Sequence, residues 1–284
     1  MRRGTPLIIS KRSARNIHRI VAAILPQRLP IERGSIKQLA QTISYETVVI
    51  NKILMSCSEA VESVFDGATV MFGGFGNAGM PGQLIDALRT RGRRDLVIVS
   101  NGAGTGDFAL GALFGDGFAR KWVGSFPSPA AKAFRERYLK GEIELELVPQ
   151  GTLVERIRAG GAGLGGFFTP TGAGTELAAG KETRIIGGRE FVFELPLSAD
   201  FAFLKAYRGD RLGNLSYRGT MRNFNMVMAT AAKFVVAEVD EVVPVGGLDP
   251  EEIHTPGIFV DHVVQVARHP RLLEVESPSR EKAP

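Results

Sequence analysis

The sequence predicts an α/β protein: an open, mostly parallel sheet with helices on both faces, in one domain of about residues 48–270. Two observations carry that prediction. Short apolar runs alternate with segments of helical spacing, the rhythm of strand–helix–strand units. The stretch Gly73-Gly-Phe-Gly-Asn-Ala-Gly-Met-Pro81 then sets a glycine turn directly between one such run and one such helix. Functional loops of a parallel sheet lie there, at the carboxyl ends of the strands.

Taken in order, Ala68-Thr-Val-Met-Phe72 reads as a buried strand. Gly82 to Gly92 reads as a helix, with Leu84, Ile85 and Leu88 on one face and Gly92 as its stop. Asp95–Asn101, Lys121–Gly124 and Ile143–Val148 are further strands, and 129–139 and 151–159 are helical. Residues 160–180 hold eight glycines and are expected to form neither helix nor strand. Two readings stay open for them: a loop that must approach a ligand or partner closely, or a flexible lid or irregular connection. Arg184–Leu195 reads as a hairpin turning at Gly187-Gly188. Asp200–Tyr207 and Lys233–Val239 are strands separated by a helix over roughly 221–232. No fixed-period repeat and no convincing linker interrupts the span.

Composition narrows the function classes. The single cysteine, Cys57, rules out a disulfide within the chain, and the four scattered histidines offer no metal-ligand spacing. No metal is expected. No apolar run reaches the ~18 residues a membrane helix needs, so a soluble, cytoplasmic protein without membrane contact is expected. The net charge of +5 is unevenly placed. Nine of the 35 Lys/Arg but only two of the 30 Asp/Glu lie in residues 1–46, so that segment carries +7 and the rest −2. The case for nucleic acid therefore collapses onto the first 47 residues. Three readings stand for that segment: a transit peptide, a basic arm, or residues ahead of a true start near Val49–Lys52 or at Met55. It is expected to be disordered or to come from a misassigned start, and 271–284 is expected to be a disordered tail.

Gly74, Gly76 and Gly79 have the G-x-G-x-x-G spacing of a dinucleotide turn. That site also needs an acid at the end of the second strand to bind the ribose. Here the second strand ends Val99-Ser-Asn101, and Asp95 lies at its wrong end. Nicotinamide binding is not expected. Backbone N–H groups beside a helix N-terminus also stabilise a phosphate or a developing oxyanion. Without a following Gly-Lys-Ser/Thr, an acyl or oxyanion site is the better reading.

Asp66-Gly-Ala-Thr-Val-Met-Phe-Gly-Gly-Phe-Gly-Asn-Ala-Gly-Met-Pro81 closely resembles the opening motif of the family I CoA-transferases, in their A subunit. The resemblance continues through Ser100–Gly104, Glu146–Gly163, Phe167–Thr175, Gly213–Asn225 and Asp249–Val260, and covers nearly everything from about 48 to 266. It implies a sheet shared with certain sugar-phosphate isomerases. It also implies a two-subunit enzyme that moves CoA from succinyl-CoA to a 3-oxo acid, with 3-oxoadipate favoured and acetoacetate close behind. The CoA thioester is a substrate; no cofactor is bound permanently. An isolated A subunit looks bacterial and needs a B subunit, in an expected 2+2 heterotetramer.

In such enzymes a glutamate carboxylate forms a mixed anhydride and then a glutamyl-CoA thioester. The resemblance puts that glutamate in the B subunit, in a Glu-x-Gly context. Here only Glu32 stands two residues before a glycine, without the surrounding family pattern, so the nucleophilic Glu is not expected in this chain. The resemblance gives Gln150 a role in holding the thioester oxygen, with a plain turn residue after Pro149 as the alternative. Asn101 matches an asparagine lining the substrate pocket, with capping as the alternative. Gly73, Gly74, Phe75, Gly76 and Gly79 match the substrate loop, or else serve tight packing only. Arg218 and Arg222 could meet the acid's distal carboxylate, or be structural. Gly219 stands where relatives usually carry Lys, and Gly102 where they often carry a second Asn. Two rivals of other classes remain: a sugar-phosphate isomerase or ligand-binding protein on a similar sheet, and a non-catalytic interaction protein with a basic arm.

Overall fold

The apolar runs become strands whose two-residue period sorts them between two cores. The computed structural model describes residues 50–267, and the expectations for 1–47 and 271–284 lie outside the described residues. Along the chain come β1 (Ile53–Leu54), α1 (Cys57–Ala60), β2 (Thr69–Phe72), α2 (Gly82–Arg91), β3 (Leu96–Val99), α3 (Ala109–Gly115), β4 (Ala119–Gly124), α4 (Lys132–Leu139), β5 (Glu144–Leu147) and α5 (Gln150–Ala162). Then follow β6 (Phe167–Thr169), β7 (Thr183–Ile186), β8 (Arg189–Glu194), β9 (Ala199–Asp210), β10 (Leu215–Ser216), α6 (Asn223–Ala229), β11 (Ala232–Val243) and β12 (His262–Gln265).

The main sheet runs β1-β12-β11-β9-β2-β3-β4-β5, with β10 antiparallel on β9. Every neighbouring pair on that path is parallel. All four residues of β3 are buried, as both faces of a covered parallel sheet require. Successive side chains point to opposite faces. Val70, Phe72, Leu96, Ile98 and Trp122 pack with Leu84, Ile85, Leu88, Leu113, Phe114 and Phe134, which come from α2, α3 and α4. Met71, Val97, Val99 and Val123 pack instead with Leu153 and Ile157 of α5 and Phe224 and Met228 of α6. Trp122 anchors the first core, edge-on to Phe134 at 4.7 Å and to Phe114 at 6.0 Å.

A small antiparallel sheet, β6-β8-β7, stands apart from the main one. Its hairpin turns at Gly187-Gly188, both with positive φ, as a two-residue primed turn demands. Two expectations need correction. The glycine-dense stretch does hold regular structure: α5 continues to Ala162, and β6 lies within it. Gly160 and Gly161 are helical because α5 passes so close to Leu197 and Thr230 that a Cβ on either would collide with them. Close packing outweighs glycine's low helix propensity there. The helix expected over 221–232 is also shorter, 223–229. Ala232, a strong helix former, pairs with Ala199 as the first residue of β11.

Candidate functional site

Four chain segments meet at the carboxyl ends of β2, β3 and β4 and the start of α5. Gly73 N–H still bonds the sheet, at Phe203 O (3.0 Å). The chain then turns sharply, with Phe75 N–H donating to Ala78 O (3.0 Å) and Ala78 N–H to Phe75 O (3.2 Å). Two asparagines in the first turn of α6 clamp this loop. Asn223 Oδ1 accepts from Gly74 N–H (3.1 Å), and its Nδ2 donates to Ala78 O (2.9 Å). Asn225 is wholly buried. Its Nδ2 donates to Gly79 O (2.9 Å) and Met221 O (2.8 Å), and its Oδ1 accepts from Lys205 N–H (2.9 Å). Gly73 has room only for hydrogen, because the Asn225 amide lies against its Cα. Gly79 has φ +71°, and a Cβ there would meet Asn225 Nδ2 and Met221 O at 2.8 Å.

Not every loop N–H is free for a ligand. Those of Gly73, Gly74, Phe75 and Ala78 are spent within the fold. Among the described residues, the N–H groups of Gly76 and Asn77 have no hydrogen-bond partner, and both residues line the cavity.

Asn101 stands just past β3 and is 5 % exposed. Its backbone O accepts from Ser125 N–H and Phe126 N–H, both at 3.1 Å, which ties it to the end of β4. Its Oδ1 accepts from Ser125 Oγ (2.7 Å) and from Gln150 Nε2 (3.0 Å). No helix starts at Asn101, so its side chain serves the neighbouring loops and caps nothing. Beneath it, buried Trp122 Nε1 donates to Ser100 Oγ (3.0 Å), which donates to Gly102 O (2.9 Å). Gln150 is the first residue of α5. The position of α5 is set by Arg156, which reaches Glu146 Oε1 on β5 (2.7 Å) and Leu195 O (2.9 Å). Burial alone would raise Glu146, but hydrogen bonds and charge from Lys121 and Arg156 hold it below the ordinary carboxylate range.

These segments enclose a cavity of about 440 Å³ whose walls include Gly73, Gly74, Phe75, Gly76, Asn101, Ser125, Phe126 and Gln150. None of its lining side chains is titratable. Gly79 does not line it but packs behind it on Asn225. Arg218 and Arg222 are not brought to it either. Both are exposed, and Arg218 lies over the Tyr207 ring at 5.5 Å. Ser125, Asn223 and Asn225 escaped the sequence reading as site residues. Among the described residues, no group of three or more His, Cys, Asp or Glu is placed to hold a metal ion, and no helix is long and apolar enough to cross a membrane.

The fold and site together define an open α/β protein with an uncharged pocket, rich in amide donors, at its strand ends. The chain belongs to the coenzyme A transferase family: the Coenzyme A transferase family model matches residues 54–266. It is 57 % identical over 220 residues to the A subunit of the 3-oxoadipate CoA-transferase of Pseudomonas putida, covering 77 % of this chain and 95 % of that protein. It is 48 % identical over 225 residues to the A subunit of the probable succinyl-CoA:3-ketoacid coenzyme A transferase of Bacillus subtilis, covering 79 % and 94 %. Among solved structures, the acyl-CoA transferase from E. coli O157:H7, in its thioester complex with CoA, shares the fold. The TM-score is 0.67 at 22 % identity over 76 % of this chain, which spans 47 % of that longer one.

Proposed function

We propose that this chain is the A subunit of a two-subunit 3-oxoacid CoA-transferase that moves CoA from succinyl-CoA to a 3-oxo acid, with 3-oxoadipate as the favoured acceptor. The observation that carries the reading is the pairing of 57 % identity to the A subunit of a 3-oxoadipate CoA-transferase with a strand-end cavity free of titratable side chains. Such a wall can bind and polarise a thioester but has no carboxylate to attack it.

The nucleophile is a glutamate of the B subunit. Its carboxylate adds to the thioester carbonyl, and CoA leaves as thiolate to give an acyl–glutamyl anhydride. The thiolate then attacks the glutamyl carbonyl, releasing succinate and leaving glutamyl-CoA. The 3-oxo acid retraces these steps in reverse. Each tetrahedral intermediate carries an oxyanion that preorganised donors stabilise. Gln150 Nε2 uses one hydrogen on Asn101 Oδ1, and its second is available to the thioester oxygen. The N–H groups of Gly76 and Asn77, two lining residues without a bond inside the fold, are further donors in this reading. Arg218 and Arg222, outside the cavity, serve the acid's distal carboxylate only if the assembled enzyme extends the pocket to them.

The assembly is an A₂B₂ tetramer with its B subunit, acting in the cytoplasm. Acetoacetate is the alternative acceptor, supported by 48 % identity to the B. subtilis protein. A sugar-phosphate isomerase would need a base in the pocket, and no lining side chain supplies one. The test is acyl transfer from succinyl-CoA by the two-subunit enzyme, with 3-oxoadipate and acetoacetate compared. A higher kcat/KM for 3-oxoadipate supports the assignment; preference for acetoacetate replaces it, and transfer to neither removes it.

A further inference from the structure

Helix α2 begins where the glycine loop ends, and it has no cap of its own. Pro81 precedes it, no side chain bonds its first turn locally, and that turn holds no acid. Its free N–H groups therefore need acceptors from elsewhere. They find one on β11: Glu238 Oε2 accepts from Leu84 N–H at 2.9 Å. Glu238 is 1 % exposed and sits in register with Lys205 on β9. Lys205 Nζ lies 3.5 Å from Glu238 Oε1 and 2.7 Å from Asp240 Oδ1.

Lys205 thereby belongs to two anchors at once. Its side chain meets the carboxylate that holds Leu84, and its backbone N–H bonds Asn225, whose Nδ2 holds Gly79 O. Burying an ammonium and a carboxylate sacrifices hydration that an apolar pair would not. What the polar pair supplies is direction, because each bond fixes a particular atom of the loop or helix.

We propose that Glu238 is a positioning residue of the transferase site. Through the start of α2, and bridged by Lys205 to Asn225, it fixes the end of the glycine loop so that Gly76 and Asn77 present their N–H groups to the cavity. This rests on the functional reading above, and it assigns work to a buried ion cluster that touches no substrate.

The test compares Glu238→Leu, which removes the acceptor, with Glu238→Gln, which keeps a carbonyl for Leu84 N–H, in the two-subunit enzyme. Misplacing the loop should lower kcat at least about tenfold in Glu238→Leu, with both KM values within about twofold of wild type and kcat partly restored in Glu238→Gln. Hydrogen exchange over residues 73–85 should accelerate while peptides from β3 and β4 stay protected. Unchanged kcat, or exchange rising equally across the sheet, would overturn the proposal. Should Glu238→Leu fail to fold, Lys205→Met applies the same exchange test, and unaltered exchange over 73–85 would overturn it. A wild-type enzyme inactive on every acid would count against the functional reading, and the exchange comparison would still decide the anchor.

Discussion

Gln150 Nε2 donates to Asn101 Oδ1 at 3.0 Å, joining the first residue of α5 to the loop that leaves β3, at the wall of the cavity. Asn101 is held in turn by Ser125, so the direction of the Gln150 amide is set by two neighbouring strand ends. A donor fixed before substrate arrives needs no reorganisation in the transition state.

Gln150→Ala should therefore lower kcat about 10²-fold, near 3 kcal/mol, the usual cost of one oxyanion donor. Assembly and KM should change little, because the residue is exposed at the start of α5. Steady-state kinetics of the two-subunit enzyme check this. An unchanged kcat would remove Gln150 from the oxyanion site.

Asn101 holds the Gln150 amide, so in the proposed site their losses should not multiply. Adding Asn101→Ala to Gln150→Ala should cost less than Asn101→Ala costs alone, with a coupling of about 1 kcal/mol or more. A double-mutant cycle on kcat/KM measures it. Strict additivity would mean that the 3.0 Å bond carries no function.

Asn225→Ala should destabilise the chain by about 3 kcal/mol, since it leaves Lys205 N–H, Gly79 O and Met221 O without their buried partner. Urea denaturation of wild type and variant side by side gives the value. A loss below about 1 kcal/mol would show that water or a shift of the loop replaces the amide.

The pH dependence of stability has a definite sign. Thr69 N–H donates to Asp200 Oδ2 (3.0 Å) and Lys233 lies 2.9 Å from Oδ1. The Thr69 bond first, and then Lys233, outweigh burial and lower the Asp200 pKa. Its folded value lies below its unfolded value, so this contribution is complete above about pH 4 and is lost as pH falls through the folded pKa. Glu146 acts in the same direction. Asp200→Asn should flatten the acid limb of a melting-temperature profile and leave its neutral limb parallel to wild type; an unaltered acid limb would contradict this.

Much of the fold is legible in the sequence because buried parallel strands are continuous apolar runs. Leu96-Val-Ile-Val99 can hardly be anything else between its flanking turns. The glycine loop is legible for the same local reason, standing between a strand and a helix. What holds it is not. Asn223 and Asn225 meet Gly74 and Gly79 across 149 and 146 residues, and nothing local tells a buried, bonded asparagine from a surface one. Gln150 and Asn101 each stand out by resemblance, yet their pairing across 49 residues exists only in the fold. Arg218 and Arg222 are legible only as charges: in this chain both lie at the surface, outside the cavity.

The central claim is that this chain builds one wall of the site and the nucleophile comes from its partner. The most direct measurement is intact-mass analysis of the two-subunit enzyme after mixing with succinyl-CoA, with the enzyme-bound thioester left in place. The account predicts that one CoA is added to the B chain, while this chain keeps its unmodified mass. CoA attached to this chain would contradict it.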